Sequence, residues 1–313
     1  MKKQIPTFEE ILVQLSEKLN ELETLRLEGE KQAAKTQTKV LIALGLGIIA
    51  VVLGFQISRT WGVTFSVLSV STVIYFSSSI DLSYKSKIKY QLISSILNAF
   101  DEELYYFPDH YINKSLIQKG SLFRFGLESK VSGADYIEGY YNGSYIRYSR
   151  IRVMVKAEHE NKDTFGSYFV LSFNKHFKKQ TFVLQDKLEK KLGYVGQKIQ
   201  NSMSFGKLVK LEHAEFERRF AVYSEDQVEA RYLLSTNFME KLIAEDNKSD
   251  GVVCSFVDGD IHIYVKGRKE PFNYARGKSV INEKVIYSFY ESIYQIFSFI
   301  DSLDLNKKLW SKQ

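Results

Sequence analysis

Three residues at alternate positions of one short segment, Asp258, Asp260 and His262, are of types that bind divalent cations. In a strand, positions i, i+2 and i+4 share a face, so two carboxylates and an imidazole would converge on one metal of the kind a hydrolase uses. The same residues also read as an ordinary hairpin. Asp258-Gly259 is a common two-residue turn, Asp260 then opens the next strand and His262 is one half-exposed side chain of it. The hairpin is the simpler account, and the metal set is its alternative.

A second group, Glu212, His213, Glu215 and Glu217, has the composition of a general acid/base cluster. It lies beside Arg218 and Arg219 at the start of a short helix, where acids in the first turn compensate the helix dipole. Cys254 is the only cysteine and sits in an apolar run, so neither a disulfide nor a cysteine zinc cluster is available. A third group is basic: Arg147, Arg150, Arg152, Lys156, Lys175, His176, Lys178 and Lys179, to which Lys85, Lys87 and Lys89 add. Near a bilayer these cations would attract acidic head groups at about 1 kcal/mol each. Solvated surface charge is the competing account, and no nucleic-acid module is recognisable. There is no phosphate-binding loop, nucleophile elbow or zincin helix. No catalytic residue or cofactor is therefore assigned, and binding is expected over catalysis.

The elements that must carry these groups are organised around residues 40–80. Two uncharged runs, 40–57 and 63–80, flank the turn SRTWG. At a rise of about 1.5 Å per residue the first nearly spans the roughly 30 Å hydrocarbon core. The second is richer in Ser and Thr, which bond back to their own helix. We read a transmembrane helical hairpin. Lys31, Lys35 and Lys39 precede it, Lys85, Lys87 and Lys89 follow it, and only Arg59 lies in the turn. The positive-inside rule then places both termini in the cytoplasm of a bacterial inner membrane. Small residues offer close packing at Ala43, Gly47, Ala50 and Gly54, and at Gly62, Ser66 and Ser69, within one hairpin or between copies.

Ahead of the hairpin, Ile5, Phe8, Leu12, Leu15, Leu19 and Leu22 recur at three- and four-residue spacings, a heptad seam that self-associates or packs on the rest of the chain. Thr7 and Glu10 form a capping box. The charged segment 1–39 does not resemble a cleaved secretory signal and is expected to be retained. The chain thus divides into an amphipathic, coiled-coil-like helix (1–38), the hairpin (39–81) and a cytosolic α+β domain (82–313). The net charge of +6 suits a protein facing an anionic leaflet.

In the last part, residues 85–107 read as a helix ended by Pro108, and 122–125 as a short strand. Asn142-Gly143 closes the clearest hairpin, in which position i pairs with 285 − i, setting Glu138 opposite Arg147 and Asp135 opposite Arg150. Residues 165–173 and 180–184 read as a strand pair, 187–199 as a helix, 207–211 as a strand and 213–220 as a short helix. A helix over 226–247 offers Val228, Tyr232, Leu233, Phe238, Leu242 and Ile243 to the core, a hairpin follows at 252–265, and a long helix covers 283–305. Strand pairs followed by helices imply an α+β domain with a mostly antiparallel sheet.

The segments FNKHFKKQTFVL (173–184) and LEHAEFERRFAVYSEDQVEARYLLSTNFMEKL (211–242) resemble a bacterial membrane family known as domain of unknown function 3137, over about residues 136–242. The resemblance implies a two-span hairpin ahead of the domain and carries no activity or site residue with it. The function read here is a membrane-anchored, self-associating scaffold or sensor that binds a cytosolic protein partner. The alternatives are the metal-dependent hydrolase and a signal-triggered membrane effector in stress or phage defence.

Overall fold

The computed structural model describes residues 4–78, 83–123, 125–126, 128–157, 160–172, 177–185, 206–267, 272 and 279–303. Lys175, His176, the helix expected over 187–199 and the last residues of the helix expected to reach 305 lie outside them. The chain forms two compact units. One comprises Met1–Ile11, Ile93–Asn273 and Tyr287–Gln313, the other Leu12–Leu92 and Tyr274–Ile286.

The second unit is dominated by α1 (Phe8–Ile57), 50 residues without a break, so that the heptad stretch and the first apolar run are one helix. The capping box starts it: the Thr7 amide donates to Glu10 Oε2 (2.8 Å) and the Glu10 amide to Thr7 Oγ1 (3.3 Å). Leu15, Leu19 and Leu22 of the seam are buried within the chain itself, as are Ile88 and Leu92 of α3 (Ser83–Phe100). Arg26 continues the buried stripe at 8% exposure. It survives there because Glu23 (2.7 Å) and Glu30 (2.6 Å) bracket it, and Glu23 also accepts the Val280 amide (2.8 Å). The Arg26 guanidinium holds the Glu23 carboxyl below its usual pKa.

Beyond residue 40, α1 exposes Ile42, Leu46, Ile49 and Leu53, and α2 (Arg59–Ser78) exposes Val63, Val67, Val70 and Ile74. The two helices pack along each other. A Cβ on Gly47 would lie 2.9 Å from that of Ser69, whose hydroxyl reaches the Gly47 carbonyl (3.4 Å), and a Cβ on Gly54 would lie 3.2 Å from Gly62. Gly47, Gly54, Gly62 and Ser69 therefore stand at the helix contact, with Ala43, Ala50 and Ser66 half-buried beside them. α1 is long and apolar enough to cross a membrane.

The other unit is α+β. Among the described residues, nine strands form one antiparallel sheet in the order β1-β2-β3-β4-β9-β8-β5-β7-β6. They are β1 (Leu104–Phe107), β2 (Lys130–Tyr141), β3 (Ser144–Ala157), β4 (Glu160–Ser172), β5 (Thr181–Gln185), β6 (Lys207–Val209), β7 (Phe220–Ser224), β8 (Val252–Val257) and β9 (Asp260–Lys266). Asn142 (φ 49°) with Gly143 (φ 81°), and Asp258 (φ 50°) with Gly259 (φ 88°), give two tight hairpin turns with both central residues left-handed.

Four expectations are corrected. Helix α3 stops at Phe100, and 104–107 is a strand, because burying Leu104 and Tyr106 while exposing Tyr105 and Phe107 follows a period of two. Residues 122, 123 and 125 are not in a strand; Leu122 and Phe123 follow α4 (Lys114–Lys119) in a segment laid over the sheet. Strands β4 and β5 do not pair: β4 pairs with β9, and β5 with β7 and β8. The helix expected over 226–247 is two, α6 (Gln227–Leu233) and α7 (Thr236–Lys248), with α5 (Ala214–Glu217) before them. Leu234 leaves helical geometry, and Ser235, in extended backbone, caps α7 by accepting the Phe238 amide. The break changes the helical phase, so Val228 and Tyr232 are exposed where a core role was expected, while Leu233, Phe238, Leu242 and Ile243 are buried.

Each sheet face is covered differently. On one, Ile117 and Phe123 of the covering segment pack on Ile151, Val153, Tyr168, Val170 and Tyr264. On the other, α8 (Glu283–Ser302) sets Phe297 against Tyr141 (centroids 4.6 Å) and Phe299 against Phe169 (5.3 Å), and α7 sets Phe238 against Phe256 (5.6 Å). Fully burying each such side chain contributes about 1.5–3 kcal/mol.

Candidate functional site

The residues singled out as chemically capable are mostly engaged in holding the fold. Asp258 is an exposed turn residue, 3.7 Å from the Lys119 ammonium at the end of α4. Asp260 accepts from the Ser172 hydroxyl (2.8 Å) and lies 3.6 Å from the same ammonium. His262 is fully buried on the face beneath α4, its Nδ1 3.1 Å from the Tyr168 hydroxyl. Lys119 neutralises the two acids while the imidazole faces the core, so the three do not converge as ligands. Among the described residues no group of three or more His, Cys, Asp or Glu side chains could hold a metal.

Three members of the acid/base group are spent in a similar way, and the fourth, Glu212, is exposed. His213 caps α5, its Nδ1 accepting the Phe216 amide (3.2 Å), and Glu217 accepts the Leu211 amide (2.8 Å). Glu215 pairs with Arg219 (3.1 Å), which also reaches Asp246 (3.3 Å) and Asn247 (2.6 Å). Cys254 is fully buried, and burial pushes its thiol pKa up, away from thiolate reactivity.

Strand alternation divides the basic group. Arg147 belongs to the face carrying Ile151 and Val153, Arg150 and Arg152 to the other. Arg147 stacks on the Tyr145 ring (4.5 Å). It lies opposite Glu138 as expected, yet the Glu138 carboxylate accepts from the Tyr136 and Tyr145 hydroxyls (2.6 and 2.8 Å). Arg152 makes a bidentate pair with Asp163 that holds the Asp163 carboxyl below its usual pKa, and Lys179 pairs with Glu225 (2.7 Å). Lys178 is exposed, and Lys85, Lys87 and Lys89 lie in the first turns of α3.

Of two further polar sites, the sequence reading anticipated the first only as a cross-strand pair and missed the second. The first is Asp135, with no exposed surface and a φ of 60°. A bulge there shifts the β2–β3 register by one, so Arg150 faces Ala134 in the ladder. The ion pair expected between Asp135 and Arg150 nonetheless forms: Arg150 Nε donates to the carboxylate (2.7 Å), as does the Tyr106 hydroxyl (2.6 Å). The available signal was phase, since Ile137 and Tyr141 pointing inward place Asp135 inward too. The second is Glu229 of α6, buried to 9% exposure, which accepts the amides of Lys178 (3.0 Å) and Lys179 (3.2 Å). These partners are 50 residues or more away in sequence, so no local pattern announces them. Glu229→Ala is expected to remove about 1–3 kcal/mol and the exchange protection of the Lys178 and Lys179 amides. Unchanged protection at both would show that the carboxylate does not hold the turn.

The matched span of the chain starts at the β4 residue facing Arg152 and runs through the end of α8. Residues 165–305 match the family described as "Protein of unknown function (DUF3137)". The resemblance read from 173–184 and 211–242 falls inside that span, whereas residues 136–164, also read as similar, lie ahead of it. The DUF3137 span holds strands β5 to β9 and helices α5 to α8, hence His262, Glu229 and Cys254. No curated protein matches the chain. The crystal structure of the mycobacterial trehalose monomycolate transport factor A, TtfA, aligns with 66% of this chain and 92% of its own at 8% identity, with a TM-score of 0.32, too low to bear on fold or function.

Proposed function

We propose that the chain is a membrane-anchored binding protein, a scaffold or sensor, in which α1 and α2 cross the inner membrane as a hairpin and both termini lie in the cytoplasm. The observation that carries this reading is the apolar surface of residues 41–74. Leu41, Ile42, Leu46, Ile49, Leu53, Val67 and Ile74 are all more than half exposed, a surface that water does not tolerate at this extent and hydrocarbon does. The lysines flanking the hairpin supply the orientation. The binding role is favoured because most of the candidate catalytic groups are occupied by caps, turns and ion pairs. Self-association is assigned to the exposed sides of the hairpin and not to the heptad seam, whose Leu15, Leu19 and Leu22 are already covered.

Extraction and topology test the proposal. The chain is expected to stay with membranes in alkaline carbonate, and a reporter fused after Lys89 to work only in the cytoplasm. Leu46→Arg with Ile49→Arg, at about 2.5–3.5 kcal/mol each, should strip it from the membrane. A chain soluble without detergent, or a reporter active on the far side, would refute the anchored topology.

A further inference from the structure

We propose that His262 is the trigger of an acid-sensitive latch, which holds residues 112–123 down on the sheet and releases them when the neutral imidazole takes up a proton. The latch depends neither on membrane anchorage nor on a partner.

Helix α4 is six residues long, too short to be stable alone, and its segment stays on the sheet through the burial of Ile112, Ile117, Leu122 and Phe123 together with a few polar ties. The Ile112 amide donates to Ser149 Oγ (3.1 Å), the Tyr168 hydroxyl reaches the Ile117 carbonyl (3.5 Å), and the Ser255 hydroxyl donates to the Gly120 carbonyl (2.5 Å). His262 sits at the centre of this set, between Val170 and Ser255 in the sheet. Gly120 lies directly over it: a Cβ there would fall 2.6 Å from His262 Cγ and clash with the Tyr168 hydroxyl. The ring is therefore clamped between the sheet and the end of α4. Tyr168 satisfies Nδ1, but Nε2 is buried with no hydrogen-bond partner.

A neutral ring tolerates this at modest cost. A protonated one does not, because both nitrogens then carry N–H groups, and a charged donor at Nε2 would be buried without an acceptor. With the Tyr168 hydroxyl proton on the Ile117 carbonyl, Nδ1–H donates to Tyr168 in the neutral and in the charged ring alike, so the bond at Nδ1 survives and the unmatched N–H at Nε2 is what opposes the cation. The charged groups acting on the ring come from β9, the β8–β9 turn, α4 and β3; the flanking β4 and β8 place the uncharged Val170 and Ser255 beside it. Asp260 on β9 and Asp258 in the β8–β9 turn favour the cation, whereas Lys119 at the end of α4 and Arg147 on β3 oppose it. With two acids set against two bases, burial decides, and it pushes the His262 pKa down to about 4. Water reaches the ring once Gly120, and α4 with it, lifts.

The direction follows from linkage. With α4 lifted, the ring titrates near the ordinary histidine value of about 6.5. Between that pH and about 4 the open form binds a proton that the closed form does not, so opening becomes about tenfold more favourable per pH unit on acidification. Above about 6.5 both forms are neutral, and opening is independent of pH. Release uncovers the apolar surface of Tyr168, Val170 and Tyr264.

Hydrogen exchange on the full chain in detergent, from pH 7.5 to 4.5 and corrected for intrinsic rates, tests the latch. Protection of the Ile112, Ile117 and Gly120 amides is expected to fall about tenfold per pH unit below about 6.5, while the β4 amides stay protected. H262Q should abolish the slope. Y168F keeps a titratable ring and should retain the slope with lower protection at every pH, so it carries the test should H262Q fail to fold. Three results would overturn the proposal: no slope beyond intrinsic chemistry, the same slope in H262Q, or loss of protection in step with β4, which is global acid unfolding.

Discussion

Asp135→Ala is expected to destabilise the full chain by about 3–5 kcal/mol, the largest single-residue effect on its polar interior. The carboxylate has no exposed surface and accepts at once from Tyr106 Oη and Arg150 Nε, while the Arg150 side chain is itself only 13% exposed. Deleting the acid strands a guanidinium in a place built around its counter-charge, and that penalty exceeds the net worth of the pair. Backbone strain can be separated from charge at the same site. At a φ of 60°, Asp135→Gly relieves the left-handed strain and should be less harmful than alanine by about 1 kcal/mol, and Asp135→Asn, which keeps an acceptor and tolerates this backbone, less harmful again. Urea unfolding in detergent reads the series. An alanine variant within about 0.5 kcal/mol of the parent, the range of an ordinary surface change, would mean that the bulge and not the ion pair organises this end of the sheet.

Phe297→Ala is expected to cost about 3–5 kcal/mol for a different reason. This ring lies in the last third of α8, fully buried, 4.6 Å from the Tyr141 ring and 5.3 Å from the Phe100 ring by centroid. Truncation leaves a cavity that the two fixed rings cannot close. The end of α8 is also tied to the β2–β3 turn, where Asp301 accepts from the Tyr141 hydroxyl (3.1 Å) and the Asn142 side-chain amide (3.2 Å). Exchange protection around residues 139–146 should therefore fall together with stability. Glu291→Ala, on the exposed side of the same helix, should stay within about 0.5 kcal/mol. Equal effects from the two substitutions would show that α8 does not pack on the sheet through Phe297.

What could be read from the chain was local. Asn142-Gly143 and Asp258-Gly259 specify two-residue turns through the left-handed conformations they tolerate, and the β2–β3 register from Ile137 to the turn follows from that choice alone. The Thr7 and Glu10 capping box and the apolar face of α8 are local in the same way, since the partners lie within a turn or two of the same helix. The apolar character of residues 40–57 was equally plain. Of the candidate sites, residue types and spacing were legible, but not their employment. Whether His262 is half-exposed or buried depends on β4, whose Tyr168 lies 94 residues before it, and on α4, which lies farther away still.

Tertiary structure decided whatever depended on distant partners. It placed β5 between β8 and β7 and not beside β4, because edges from different parts of the chain compete for the same ladder. It made 104–107 a strand, where β2 offers hydrogen bonds that a helix would forgo, and it broke the helix at Leu234 and Ser235 so that both halves could bury an apolar face. It set Asp135 in a bulge and enclosed His262 beneath Gly120. Sequence periodicity registers which side of an element is apolar; it holds no record of what arrives to cover that side, and burial, charge state and reactivity are all settled by the cover.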